Sequence, residues 1–178
     1  MSLKTMAKNI TLPVVRAANL TANHIMVVAS KEVARHYTIK QRDVKKAMKL
    51  TSRSSASHLD TVIRAESRLL TPYHFKFTPT IVSKATPTVT IKKGNKQILK
   101  HAFVAKIGKN PVLNVWYYEA GKPHIGKNLR TLRSVSVPQM IENPKVVAVI
   151  NKDIETSGFY EKKFIHEFDF ISAKAGFK

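Results

Sequence analysis

Apolar residues recur at Val14, Ala18, Ala22, Ile25, Ala29 and Val33, at steps of three and four. That spacing lines one face of an α-helix and predicts a helix over 13–37. Pro13 suits a first helical position, where its missing N–H removes no hydrogen bond, and Thr11 or Leu12 falls at the cap. Residues 1–12 are then expected as a flexible arm. Ala17, Ala18, Ala22 and Ala29 keep one flank thin, which allows another element to come close. Thr38-Ile39-Lys40-Gln41 follows at once and matches a capping box, with Ile39, Val44 and Met48 as a narrow apolar stripe through Lys49. Residues 13–50 are therefore expected to be helical.

Past the polar break Ser54-Ser55-Ala56-Ser57 the period changes toward two. Residues 59–70 alternate roughly between apolar and charged, and Tyr73-His74-Phe75-Lys76-Phe77 is bracketed by Thr71-Pro72 and Thr78-Pro79. Such alternation suits a strand with one face inward. Residues 88–93, the turn Gly94-Asn95 and residues 97–107 read as a hairpin. Residues 112–119 read as a further strand with the only tryptophan, Trp116. A basic, glycine-containing loop is expected over 122–133, with Ser134-Val135-Ser136-Val137-Pro138 leading out of it. The last pattern is helical over 143–173. Asn143 is a cap ahead of Pro144, Val146, Val147, Ile150 and Ile154 lie at helical spacing, Gly158 is a possible interruption, and Phe164, Ile165, Phe168 and Ile171 resume the pattern.

Helix, helix, meander, helix predicts a single α+β domain over 1–178. It would hold a long N-terminal helix, a short basic helix, an antiparallel β-meander over 59–137 and a C-terminal helix packed on the sheet. With 43% apolar residues there is material for a core. No apolar run is long enough to span a membrane, and no apolar leader segment precedes a cleavage-like site, so neither membrane insertion nor secretion is expected. The chain has no cysteine, which removes disulfides and thiol chemistry.

Charge changes the picture most. The formal net charge is +20, and residues 151–178 hold five basic and five acidic residues, so the whole excess lies in the first 150. A field of that sign favours polyanions or acidic protein surfaces. On the second helix the basic face comprises Lys40, Arg42, Lys45, Lys46 and Lys49, offset only by Asp43; in the loop it comprises Lys122, Lys127, Arg130 and Arg133. A charge run on a helix is more often a solvated face than a groove reader, and the tight helix pair lacks the glycine usual in a helix-turn-helix. Aromatic and basic residues alternate at Tyr73, Phe75 and Phe77 and again around Trp116 and Tyr118, a pattern shared by an aromatic core face and by a stacking surface for single strands. Core packing is the expected reading.

Signals for chemistry are missing. None of the seven histidines pair at the four-residue step of a zinc helix, and His166-Glu167 lacks its second histidine. There is no nucleophile elbow and no phosphate-cradling glycine loop ahead of a helix. Asp60 and Glu66 are the closest carboxylates in the basic region and do not make an active site. No catalytic residue, metal or cofactor is expected.

Several segments in order carry a resemblance. The N-terminal helix runs into Tyr37-Thr38-Ile39-Lys40-Gln41-Arg42-Asp43-Val44-Lys45-Lys46. The Ser/Ala step and residues 59–70 follow and end at Phe75. Ala102-Phe103-Val104-Ala105 precedes Val115-Trp116 and the Gly121-Lys122 loop. Leu129 to Arg133 leads into Ser136-Val137-Pro138-Gln139-Met140 and the closing helix. Over about residues 10–170 this order resembles the minor tail protein Z family of tailed bacteriophages and prophages. It departs where Arg130-Thr131-Leu132-Arg133 lacks an expected proline and where Trp116-Tyr117-Tyr118 stands in place of a more basic strand. The resemblance implies a non-catalytic structural subunit that completes the head-proximal end of the tail near the DNA channel. Its implied partners are the tail terminator or tail tube and the head–tail connector, with packaged DNA as a further contact. It would be a homo-oligomeric ring, guessed as a hexamer, made in the host cytoplasm and residing in the tail or neck of the virion. The residues themselves leave a rival open: a basic protein binding DNA or ribosomal RNA through the helix over 38–49.

Overall fold

The computed structural model describes residues 3–108 and 111–174, with side chains from residue 10. In chain order the elements are α1 (Leu3–His36), α2 (Gln41–Ala47), β1 (Met48–Ser52), β2 (Val62–Ala65), β3 (Lys76–Thr78), β4 (Thr88–Thr90) and β5 (Lys96–Ile98). Then come β6 (Ala102–Lys106), β7 (Leu113–Tyr118), β8 (Leu129–Thr131), α3 (Val137–Ile141), α4 (Pro144–Thr156) and α5 (Phe159–Lys174). The class is α+β, with antiparallel pairing throughout. Two compact units share the chain: Met1–Ala29, Met48–Ala65 and Pro144–Lys178 form one, Ser30–Ala47 and Glu66–Asn143 the other.

The expected arm over 1–12 is instead helical from Leu3. Leu3, Met6 and Ile10 carry the apolar spacing backward, so the pattern does not stop at Pro13. That proline lies inside α1 and is fully buried. An interior proline removes one backbone hydrogen bond, and burial of its ring offsets part of that loss. The alanine flank does what its size suggests: Ala17, Ala22 and Ala29 are all buried.

In the first unit β1 and β2 pair in register Met48↔Ala65, Lys49↔Arg64 and Leu50↔Ile63, with a bulge before Ser52. This corrects the helix expected through Lys49. The chain turns to period two at Met48, which is buried, while Lys49 is exposed and Leu50 half-buried. Asn19 of α1 holds the following loop twice, its Nδ2 donating to the Ser54 carbonyl at 3.1 Å and its Oδ1 accepting from the Ser54 N–H at 3.2 Å. The C-terminal pattern forms two helices, because Gly158 takes a φ of 56° between them. Both are tied to α1: His24 Nε2 lies 2.8 Å from Asp153 Oδ2, and Arg16 Nη1 donates to Glu167 Oε2 at 3.0 Å.

In the second unit the β-rich region makes two three-stranded sheets, β3-β4-β5 and β6-β7-β8. Their core is Val89, Ala102, Val104 and Val115, with Phe77, Ile91, Leu99, Leu113 and Tyr117 packed against it. The expected hairpin is present with Gly94 at a φ of 84°, but its second arm breaks. His101 adopts a φ of 62° and separates β5 from β6. The lead-out 134–138 contains a real capping box: the Ser136 N–H donates to Gln139 Oε1 at 2.9 Å and the Gln139 N–H to Ser136 Oγ at 3.5 Å, opening α3. The box expected at Thr38 and Gln41 does not form. Thr38 donates its hydroxyl to the Thr90 carbonyl and accepts from the Lys76 N–H at 3.1 Å, while Gln41 Nε2 donates to Ser30 Oγ at 3.2 Å.

Candidate functional site

The first basic cluster is built on a buried stripe. Ile39, Val44 and Met48 are all buried, as the spacing requires, so the remaining face of α2 must turn outward. Lys40, whose carbonyl accepts from the Asp43 N–H at 2.9 Å, precedes the helix, and Arg42, Lys45 and Lys46 stand on it; all four are exposed. Asp43 lies 3.6 Å from Arg42 and 3.9 Å from His74, so the only acid on α2 is engaged locally. Lys49 belongs elsewhere. It sits in β1 of the other unit, opposite Arg64 in the ladder, where two like charges face each other across a pair.

The second cluster is a structured loop rather than a free one. Glu119, just past β7, takes Lys122 Nζ on Oε2 and Arg130 Nε on Oε1 at 2.8 Å. Its N–H donates to the Asn128 carbonyl at 3.1 Å, and the buried Asn128 donates from Nδ2 to the Pro123 carbonyl at 2.8 Å. A 3-10 turn over Gly126–Asn128 and the strand β8 lie where an irregular loop was expected. Two of the four expected contact cations, Lys122 and Arg130, are thus paired with one carboxylate while their side chains stay exposed. The Glu119 carboxyl is held below its ordinary value of 4.5, chiefly by the hydrogen bond from Lys122 and further by the nearby Arg130 charge. Lys127 and Arg133 remain exposed.

Sequence spacing missed two features. Lys76 of β3 and Lys96 of β5 both register against Thr90, putting two cations on one face of a threonine-rich sheet. Lys92 and Lys93 at the hairpin turn are exposed beside them. The repeated lysines around Gly94 were the available signal. The other feature is an open cleft of about 800 Å³ beside β6 and β7. Phe103, Trp116 and Tyr118 occupy the sheet face opposite Val104 and Val115, so the aromatic row is not the core face. Only Phe75 among the alternating aromatics is buried; Phe77 packs at the core edge, and Tyr73 is exposed. Among the described residues no three acidic or histidine side chains gather to hold a metal ion, and no helix is long and apolar enough to cross a membrane.

No family model, curated protein or solved structure matches this chain. The second unit contains nineteen basic and five acidic residues, a formal +14 of the total +20, and all the clusters above except Lys49 belong to it.

Proposed function

We propose that the chain is a structural subunit of a tailed-phage tail, completing the head-proximal end for joining to the head, with no catalysis of its own. The observation that carries this reading is α5. It has sixteen residues and buries none of them. Yet its apolar side chains are spread around the helix, on both flanks of Glu167, which meets Arg16, and at Ile165 roughly opposite it. Phe164 and Ile171 are half-buried, whereas Ile165 and Phe170 are 57% and 55% exposed. Large apolar side chains left exposed on a helix that also carries charges mark a surface for another molecule to cover. Within an assembly a neighbouring subunit supplies that cover. The resemblance in segment order to the minor tail protein Z family supports a phage tail as this assembly. The basic faces then serve acidic neighbours or packaged DNA, with Lys40, Arg42, Lys45 and Lys46 first and Lys127 and Arg133 next.

A second reading, a free nucleic-acid-binding protein, is favoured by the same exposed α2 face. Solution mass with and without duplex DNA separates the two. A discrete homo-oligomer, or a monomer indifferent to duplex at physiological salt, supports the subunit. A monomer that binds duplex at submicromolar strength and releases it with a steep salt slope overturns it. In the first case, replacing Phe168 and Phe170 together by Ser should dissociate the oligomer and leave the far-ultraviolet circular dichroism unchanged.

A further inference from the structure

The cleft beside β6 and β7 has two kinds of wall. One is a run of rings. Phe103 and Tyr118 lie diagonally across the two strands with centroids 5.8 Å apart, and His124 from the Glu119 loop lies flat on Tyr118 at 4.5 Å, the planes 10° apart. The rest of the lining includes cations, Lys84 and Lys122, together with His101. Lys84 is set there by the backbone: the Ser83 N–H and carbonyl pair with Val104 at 2.9 Å each, laying this segment along β6.

We infer that this cleft binds a nucleotide of a single-stranded nucleic acid, the base extending the ring stack at His124 and the phosphates meeting Lys84 and Lys122. Four observations carry it. His124 is exposed, and Tyr118 is its ring partner among the described residues, so it can take a further planar group. The rings lie on the sheet face opposite the valine core and are not needed to fill it. The one carboxylate in the cleft, Glu119, is already neutralised by Lys122 and Arg130, so it does not repel an anion. And His101 is held at a φ of 62°, a left-handed conformation that non-glycine residues adopt at a cost and that gathers at ligand sites. The volume, about 800 Å³, is within the range of small-ligand sites. A duplex keeps its bases stacked inside and offers no free face to such rings, and an acidic peptide offers carboxylates without a planar partner for them. The inference is independent of the tail reading, because α5 lies in the other unit.

Trp116 reports on the site. It is the only tryptophan and shares a sheet face with Tyr118, two residues along β7. The full chain is titrated with an oligothymidylate of about ten nucleotides, following Trp116 fluorescence, in competition with inorganic polyphosphate matched for charge. The oligonucleotide should quench the tryptophan, and polyphosphate should compete about tenfold less well, because it lacks bases to stack. His124→Ala, at an exposed position, should weaken the oligonucleotide about tenfold. Lys152→Gln, exposed on α4 and not among the residues that line the cleft, should change it less than about twofold. An unchanged affinity in His124→Ala, polyphosphate competing charge for charge, or no response of Trp116 overturns the site.

Discussion

At Glu119 one carboxylate organises a loop that its own sequence presents as a run of positive charge. Lys122 and Arg130 are both in the 122–133 stretch expected to supply free cations, and both pair with Glu119 while staying exposed. Nothing in linear spacing says that a strand and a 3-10 turn bring residue 130 back beside residue 119, so that half of the cluster was not legible. The folded carboxyl sits below its ordinary 4.5, so its stabilising contribution is present above that value and is lost as pH falls through the lower folded value. A carboxyl-carbon titration by nuclear magnetic resonance should place the Glu119 midpoint below 4.5, and Glu119→Gln should remove that titration and loosen amide protection at Asn128; a midpoint at or above 4.5 refutes the latch. His101 makes a second residue-scale case. Its φ of 62° was hidden in a stretch that alternates well enough to read as one strand. A β-branched side chain tolerates that conformation poorly, so His101→Val should cost roughly 1–2 kcal/mol of unfolding free energy, whereas His101→Gly should cost far less. Equal denaturation midpoints for the two variants would argue against strain there.

Among the elements, two identical cap patterns had opposite fates. Thr38…Gln41 and Ser136…Gln139 both fit the capping box, and only the second forms. Ser136 has no competing partner stronger than its own helix. Thr38 lies against the end of β4 and gives its hydroxyl to the Thr90 carbonyl, so a contact from another element outbids the local one. Cap chemistry is local and legible; which acceptor wins is decided by packing. Ser136→Ala should therefore lower stability by about 1 kcal/mol, measured by urea unfolding, while Gln41→Ala should not act as a lost helix cap. The burial of Ile39, Val44 and Met48 was legible from their spacing, but only Val44 of the three lies within α2. Val44, wholly buried on the short α2, anchors the basic face, and Val44→Ala should cost about 2 kcal/mol. The boundary at Met48 was not legible: one residue can end a helical stripe and begin a strand, and only pairing with Ala65 decides it.

Across the whole chain, charge and apolar exposure pull association in opposite directions. Copies with a formal +20 repel one another, yet Ile165, Phe168 and Phe170 of α5 gain by being covered. The screening length is about 10 Å at 0.1 M salt and about 3 Å at 1 M, so added salt weakens the repulsion much more than the apolar gain. Contact with a polyanion behaves in the reverse sense, because each neutralised phosphate releases counterions and salt opposes that release. A sedimentation series over this salt range should therefore show self-association growing as salt rises, while binding of any nucleic acid declines in the same samples. The composition alone foretold the second slope, since the excess of lysine and arginine is visible in the sequence. The first slope depends on α5 burying none of its residues, which hydrophobic spacing could not reveal: the same pattern would serve a helix sunk in its own core. Self-association that falls with salt, in parallel with nucleic-acid binding, would mean that copies are held by opposite charges, and the apolar faces of α5 would lose their part in assembly.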